Sequence, residues 1–448
     1  MAETRRPRDP DPMISPKIRD MLGRRDATSL ADTIAILQNS LSGQPPPAGE
    51  EVQLDQALGR YLAADLAAPE QLPNHPRSVM DGYAVRAADT FGASAQLPTY
   101  LQISGEVRMG QLPVGAPGVG ECFRISTGGL LPQGCDAVVM LEHTISGGDG
   151  LLEVVKPVAP GGNIIAPGDD VQRDEILFKA GSRLRPCDLG LLAGLGFARI
   201  PVYQRPVVGI ISTGDEIVTP EQTPPPGKIR DINTATIAGL VAAQGAIPRP
   251  LGIVGDREEE FRQLLEEALA SCRLVIFSGG SSVGVGDLGE RVLNKITAPG
   301  IMVHGVTIKP GKPVIIARHG TIPVFGLPGH PVSAAAAYAL FVRPTLELLA
   351  GAGRPAWQPR PVGRAILQRN LNSAAGRTDL VPVALSRSSD PREGEADPGE
   401  ANGELLARPV LGKSSALSTL VRAEAWIMIA AHLQGLGAGS SVDIYRFD

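Results

Sequence analysis

The spacing of apolar positions divides the chain near residue 205. Upstream, apolar runs are short and broken by glycine or proline every few residues; downstream they lengthen and alternate with helical spacing. Leu30, Ile34, Ile36 and Leu37 predict an amphipathic helix over residues 29–41, and the interval from Leu54 to Leu62 predicts a second. Pro45, Pro46 and Pro47 form a stiff spacer between them. Residues 71–166 read as short strands joined by tight turns, a small β-rich domain. The strand, turn and helix pattern of 176–200 then rejoins the first elements. The β-rich segment is therefore expected as an insertion in an elongated linker domain made of residues 29–70 and 167–204.

From residue 205 to about 350 the pattern is βα units. Residues 206–212 and 274–277 are Val- and Ile-rich runs of the kind buried on both faces of a parallel sheet, and Ile253-Val254 closes a short strand before Asp256. Helical spacing covers 233–244, 258–271 and 331–349. A Gly- and Pro-rich stretch at 351–361 leads into a final β-rich domain, 358–448, interrupted by a polar loop at 390–403.

Composition narrows the classes. An apolar fraction of 43% in 448 residues supports several packed cores, and a net charge of −5 without a basic stripe argues against nucleic acid. Cys122, Cys135, Cys187 and Cys272 have no metal-ligand spacing and read as reduced, packed thiols, hence a reducing, cytoplasmic location. No run of about 18 apolar residues suggests a bilayer span, and residues 1–28 read as a charged, disordered leader without the apolar core of a signal peptide.

The polar residues that break the strand pattern carry the chemistry. In an open α/β sheet, ligands sit beyond the carboxyl ends of the strands, where Asp215, Glu216, Asp256, Ser278, Gly279 and Gly280 fall. Ser278-Gly279-Gly280-Ser281-Ser282-Val283-Gly284 can cradle a phosphate through backbone N–H groups, although a single Gly-rich turn is also the ordinary corner of such a sheet. Asp215, Glu216, Asp231, Asp256 and Asp287 would repel that phosphate, so a hard cation such as Mg²⁺ is expected between them. Lys309-Pro310-Gly311-Lys312 displays two cations suited to a small oxyanion, and also suited to a solvated loop. Arg377 and Lys413-Ser414-Ser415 are further anion-binding candidates or exposed loop charges. Two turns in the β-rich segment, around Asp81-Gly82 and Thr127-Gly128-Gly129, are turn residues or ligand donors. The six histidines and four cysteines form no zinc set and no nucleophile–base pair, and no GxGxxG opens the first βα unit.

Six ordered motifs, Met80-Asp81-Gly82-Tyr83-Ala84, Ser212-Thr213-Gly214-Asp215-Glu216, Asp231-Ile232-Asn233, the Ser278 loop, Lys309-Pro310-Gly311-Lys312-Pro313 and Leu327-Pro328-Gly329-His330-Pro331-Val332-Ser333, resemble the molybdopterin molybdenumtransferases, the MoeA and gephyrin E-domain family. The resemblance implies a molybdopterin-binding α/β domain (205–350) with a β-rich insertion domain, an elongated linker domain and a C-terminal β-barrel domain. It implies a homodimer with the cleft shared between subunits, and Mg²⁺-dependent transfer of molybdate to adenylylated molybdopterin with AMP release. Molybdopterin adenylyltransferase and molybdoenzyme apoproteins are implied as protein partners.

By the same resemblance, Asp81, Thr127, Asp256, Asp287 and Lys309 would be catalytic. Asp170, Asp231, Asn233, Ser278, Gly279, Gly280, Ser282, Pro328 and Pro331 would bind the substrate. Lys309, Lys312, Ser333, Arg377 and Ser414 would hold molybdate, and Glu216 and Asp287 the metal. The sequence departs from the family at His330, where Asn is usual, at Gly305, where many members carry Lys, and at Ile165-Ala166-Pro167, where two arginines are frequent. A tungstate-specific paralogue and a binding scaffold without catalysis are the alternatives.

Overall fold

The computed structural model describes residues 18–19, 26–279, 285–387 and 403–446, with side chains from Ala27 on and again from Leu288. It divides into two units. One comprises residues 51–58 and 62–202, the other the remainder of the described chain.

Helix α1 (Leu30–Leu41) begins where Ser29 accepts the Asp32 N–H at 3.0 Å, an N-cap that satisfies one of the free donors of the first turn. Its apolar stripe, Leu37 and Leu41, is buried in one core with Val208, Ile210 and Phe325. The helix therefore packs into the core of the α/β domain, although residues 29–70 are expected as linker. The second expected helix is a correction as well: it shrinks to one 3₁₀ turn, Leu54–Gln56. Gly59 has φ +72°, and Leu62 forms a bridge to Val202. Long-range pairing thus claims the leucines whose spacing mimics a helix.

In the first unit, six strands form one sheet: β1 (Gly82–Val85), β2 (Thr99–Glu106), β3 (Glu121–Ile125), β4 (Ala137–Met140), β5 (Thr144–Ser146) and β6 (Leu151–Val154), in the order β5-β6-β2-β3-β1-β4. Alternate residues supply two small cores, Tyr83, Val85 and Val139 on one face and Ala84, Ile125 and Val138 on the other. The returning chain pairs Ile176–Phe178 with Leu66–Ala67 and continues into α2 (Pro186–Gly194).

In the second unit, strands β7 (Val207–Thr213), β8 (Ile247–Val254), β9 (Leu274–Gly279), β10 (Pro299–His304), β11 (Ile315–His319) and β12 (Ile322–Pro328) lie in the order β8-β7-β9-β12-β11-β10. The first four in that order run parallel, and β11 is antiparallel to both of its neighbours, β12 and β10. Strand alternation sorts side chains cleanly: Val208, Ile210, Ile276 and Phe325 face one layer, while Ile211, Val275, Phe277 and Val324 face the other. Helices α1, α3 (Asn233–Ala243) and α6 (Pro331–Leu349) cover the first face, and α4 (Glu258–Ser271) and α5 (Val285–Ile296) the second. Helix α6 is long and apolar enough to cross a membrane, with a mean hydropathy of 1.3, but most of it is buried against the sheet. Its middle, Tyr338–Val342, is a π segment.

Five strands of the last domain, β13 (Gly363–Leu367), β14 (Thr378–Arg387), β15 (Leu405–Pro409), β16 (Ala425–Ile429) and β17 (Ser441–Tyr445), close into a barrel in the order β14-β15-β13-β17-β16, with β16 returning to β14. Ile308–Lys309 of the α/β domain adds to β14 as an extra parallel strand. Leu380 and Trp426 of the barrel enter the α/β core.

Three further expectations change. Of the leader, Ile18–Arg19 pairs with Asp26–Ala27 and Thr28 forms a bridge to Val306, so its last part is ordered; the remainder lies outside the described residues. The polar loop at 390–403 also lies outside them, apart from Gly403. All four cysteines are free, and burial pushes the Cys122 and Cys135 thiols up to about 12, but Cys187 is exposed, not packed.

Candidate functional site

The strand order reverses beside β7: the chain moves to β8 on one side and then to β9 on the other. Backbones diverge at such a switch point and leave a crevice at the carboxyl ends of the strands. Here that crevice is a cleft of about 280 Å³ lined by Thr213, Glu216, Asn233, Ser278, Gly279 and His330, among others.

Its floor is polar and dry. Ser212, Thr213, Asn233 and Ser278 are 3%, 2%, 8% and 3% exposed. Ser212 Oγ lies 2.9 Å from Thr234 Oγ1, and Asn233 Nδ2 donates to the Gly329 carbonyl at 2.8 Å. Thr213 Oγ1 and Asn233 Oδ1 are buried without a hydrogen-bond partner among the described residues. A buried polar atom left unpaired costs roughly 1–3 kcal/mol, so two of them at one cleft mark a place where a ligand supplies the missing partners. Sequence reasoning reaches Thr213 only as part of its motif and misses Thr234, whose spacing of three from Asp231 at a helix start is the available signal.

Gly279 shows why glycine ends β9. A Cβ there would lie 1.6 Å from Thr213 Oγ1 and 2.9 Å from the Thr213 carbonyl. Only a bare backbone fits that close to β7, which leaves the Gly279 peptide as the surface a ligand meets. Gly280 and Ser282 lie outside the described residues, as does the side chain of Asp287. Asp231 holds the backbone in place: its carboxylate accepts the Thr234 N–H at 3.0 Å and the Thr234 hydroxyl at 2.6 Å, capping α3.

Carboxylates gather after β7 and β8. Asp215 Oδ1 accepts the Asp256 N–H at 3.1 Å. Burial, with Asp215 and Glu216 nearby, holds the Asp256 carboxyl above its usual range. Among the described residues no group of three or more His, Cys, Asp or Glu is placed to enclose a metal. The crowding nevertheless suits Mg²⁺, which keeps several waters and uses one or two carboxylates plus ligand phosphates.

Beside the cleft, a second cavity of about 970 Å³ lies between the α/β domain and the barrel. Lys309, Lys312, Pro328, Ser333, Arg377 and Ser414 all line it. Backbone geometry fixes this assembly. Gly311 has φ +112°, and a Cβ would meet Ile308 Cδ1 at 3.1 Å and the Ser333 carbonyl at 3.3 Å, so the turn brings both lysines against the start of α6. The Val332 N–H donates to the Ser414 carbonyl at 3.2 Å, and His330 Nδ1 lies 2.8 Å from Ser414 Oγ. His330 and Ser415 line both cavities.

One expected cation is already compensated. Arg377 Nε donates to Asp379 Oδ1 at 2.8 Å and Nη2 to Oδ2 at 3.4 Å, and Asp379 is 4% exposed. Lys309, Lys312 and Lys413 carry the cavity's remaining positive charge among the described residues.

Three of the expected site residues fall in the other unit. Asp81 and Thr127 meet on its surface, where the Thr127 N–H donates to Asp81 Oδ1 at 2.8 Å. Asp170 is exposed, its N–H donating to the Leu72 carbonyl at 3.1 Å. Pro331, by contrast, opens α6 and lines the first cleft.

Three family models match the chain in order: the MoeA N-terminal region, domains I and II, over residues 28–196; a probable molybdopterin binding domain over 209–348; and the MoeA C-terminal region, domain IV, over 364–447. The molybdopterin molybdenumtransferase of Bacillus subtilis is 31% identical over 399 residues, covering 88% of this chain and 89% of that protein. Its counterpart in Haemophilus influenzae is 34% identical over 335 residues, 75% of this chain and 81% of that one. The crystal structure of the molybdopterin biosynthesis MoeA protein from Pyrococcus horikoshii superposes with a TM-score of 0.77 at 30% identity, covering 94% of this chain and 100% of that one. Matched from residue 28 to residue 447 by models in family order, and by relatives over most of their length, this chain belongs to the molybdopterin molybdenumtransferase (MoeA) family.

Proposed function

We propose that this chain inserts molybdenum into adenylylated molybdopterin, consuming molybdate and releasing AMP. The observation that carries the reading is the adjacency of two unlike cavities that share His330 and Ser415: a glycine-walled cleft at the strand ends and a lysine-lined cavity beside it. The first suits a phosphate and the second a small dianion.

The residues divide accordingly. The Gly279 peptide, continuing into Gly280 and Ser282, receives the pterin phosphate, and Thr213 and Asn233 offer their unpaired oxygens to donors on the ligand. Lys309 and Lys312 attract molybdate, while the Ser333 and Ser414 hydroxyls orient it. Glu216 and Asp287 would hold Mg²⁺, which when bound neutralises charge on the adenylate's phosphates. Asp256, its carboxyl held up by burial, would move a proton near the phosphoanhydride. In a homodimer, the Asp81 and Thr127 turn would serve the cleft of a second copy. The free thiols suit a cytoplasmic enzyme.

The test is AMP release from adenylylated molybdopterin by the purified protein with Mg²⁺ and molybdate. Wild type is expected to turn over. Lys309→Ala with Lys312→Ala should raise the molybdate concentration needed for half-maximal rate by about tenfold or more, the loss of roughly one charge-assisted contact. Glu216→Gln should slow AMP release while leaving the fold intact. Binding of the adenylate without AMP release in wild type would instead identify a scaffold.

A further inference from the structure

The barrel carries a third cavity, of about 410 Å³, lined by Arg369, Ala384, Arg408, Pro409, Val410 and Arg422. Its three guanidinium groups come from three elements. Arg408 is on β15, Arg369 follows β13, and Arg422 ends the short helix Ser418–Val421.

Backbone pairing fixes their convergence. Arg408 stands opposite Ala384 in the β14–β15 ladder, and the Val410 N–H donates to the Pro382 carbonyl at 2.8 Å. The Gln368 N–H donates to the Ala407 carbonyl at 3.0 Å, and the Arg422 N–H to the Ser418 carbonyl at 3.1 Å. None of the three side chains pairs with a described residue. The neighbouring acid, Glu424, is engaged by the Leu385 N–H at 2.7 Å.

Three like charges around one hollow repel one another, and no acid among the described residues pairs with them. The hollow also has an apolar side, made by Ala384, Pro409 and Val410. Guanidinium forks match phosphate oxygens in pairs and their planes stack on rings, and the volume falls within the range of about 300–1,000 Å³ for small-molecule pockets. We propose that this pocket binds a phosphorylated small molecule of nucleotide size, its phosphate held by Arg369, Arg408 and Arg422 and its apolar part laid against Pro409 and Val410. The site is separate from the lysine-lined cavity, with which it shares only Val410, and it does not depend on the catalytic reading.

Calorimetric titration of the full chain with inorganic pyrophosphate and with ADP, in low salt without metal, tests it. Wild type is expected to bind both. The variant Arg369→Ala, Arg408→Ala, Arg422→Ala should weaken a binding event by about tenfold or more, since each arginine supplies charge-assisted contacts. Lys309→Ala with Lys312→Ala should retain that event. Equal binding by the triple variant, or no binding by wild type, overturns the proposal. So does tighter capture of a glutamate-rich peptide than of either phosphate, which would make the pocket a protein-docking point. Should the triple variant melt early, Arg408→Gln removes one charge while keeping a polar side chain and decides the same question.

Discussion

At the scale of single residues, the site is built from close approach more than from charge. The contact of Gly279 with Thr213 leaves no room for even one carbon. Gly279→Ala is therefore expected to destabilise the protein by about 1–3 kcal/mol through overpacking and to abolish adenylate binding, read by thermal unfolding and titration. A variant that melts normally and binds normally would show that the peptide is not part of the site. This requirement is legible in the Ser-Gly-Gly string. The fate of Arg377 is less so, because it stands just ahead of β14 and its guanidinium turns back to the buried Asp379. Counting cations in a motif overestimates the charge that reaches the ligand.

Elements are legible where the periodic pattern is also the local one. Helix α4 follows its hydrophobic period, and strands β7 and β9 form where continuous apolar runs predict strands buried on both faces. Strand β8 ends at Val254 as its pattern predicts, but extends over eight residues and not a short run, because Pro248 and Pro250 hide an edge strand that donates few ladder bonds. The membership of α1 is illegible for a different reason: an amphipathic stripe says that a face is buried, not against which partner. Helix α2 offers a test of local design. Asp188 accepts the Arg185 N–H at 2.8 Å and its guanidinium at 2.9 and 3.1 Å. The guanidinium contact outweighs burial and holds the carboxyl below its usual range. A carboxyl lowered in the folded state contributes stability above its unfolded value, and that contribution is lost as pH falls through the folded value. Asp188→Asn should cost about 1 kcal/mol at neutral pH and progressively less in acid, measured by denaturant unfolding between neutrality and about pH 3.

At the scale of the molecule, the α/β domain and the barrel are distinct by sequence pattern yet share a core. Trp426 is 2% exposed and Leu380 4%, both packed with residues of the α/β sheet. A chain ending at residue 350 loses that cover together with Ser414 and Lys413. It should melt at a lower temperature, bind an apolar dye and fail to bind molybdate; a truncated chain as stable and as competent as the whole would contradict the shared core. Nothing in the apolar pattern marks this joint, because Trp426 and Leu380 alternate along their strands like any barrel residue.

Ile308–Lys309 pairs with Thr378–Asp379, so one wall of the lysine-lined cavity is a rung of the barrel's own ladder. Any outward swing of the Lys309 turn would have to break that pairing with the barrel. Tetrahedral oxides of molybdenum and tungsten have nearly the same size and charge, so tungstate is expected to compete with molybdate for the cavity at comparable concentrations, measured by displacement titration.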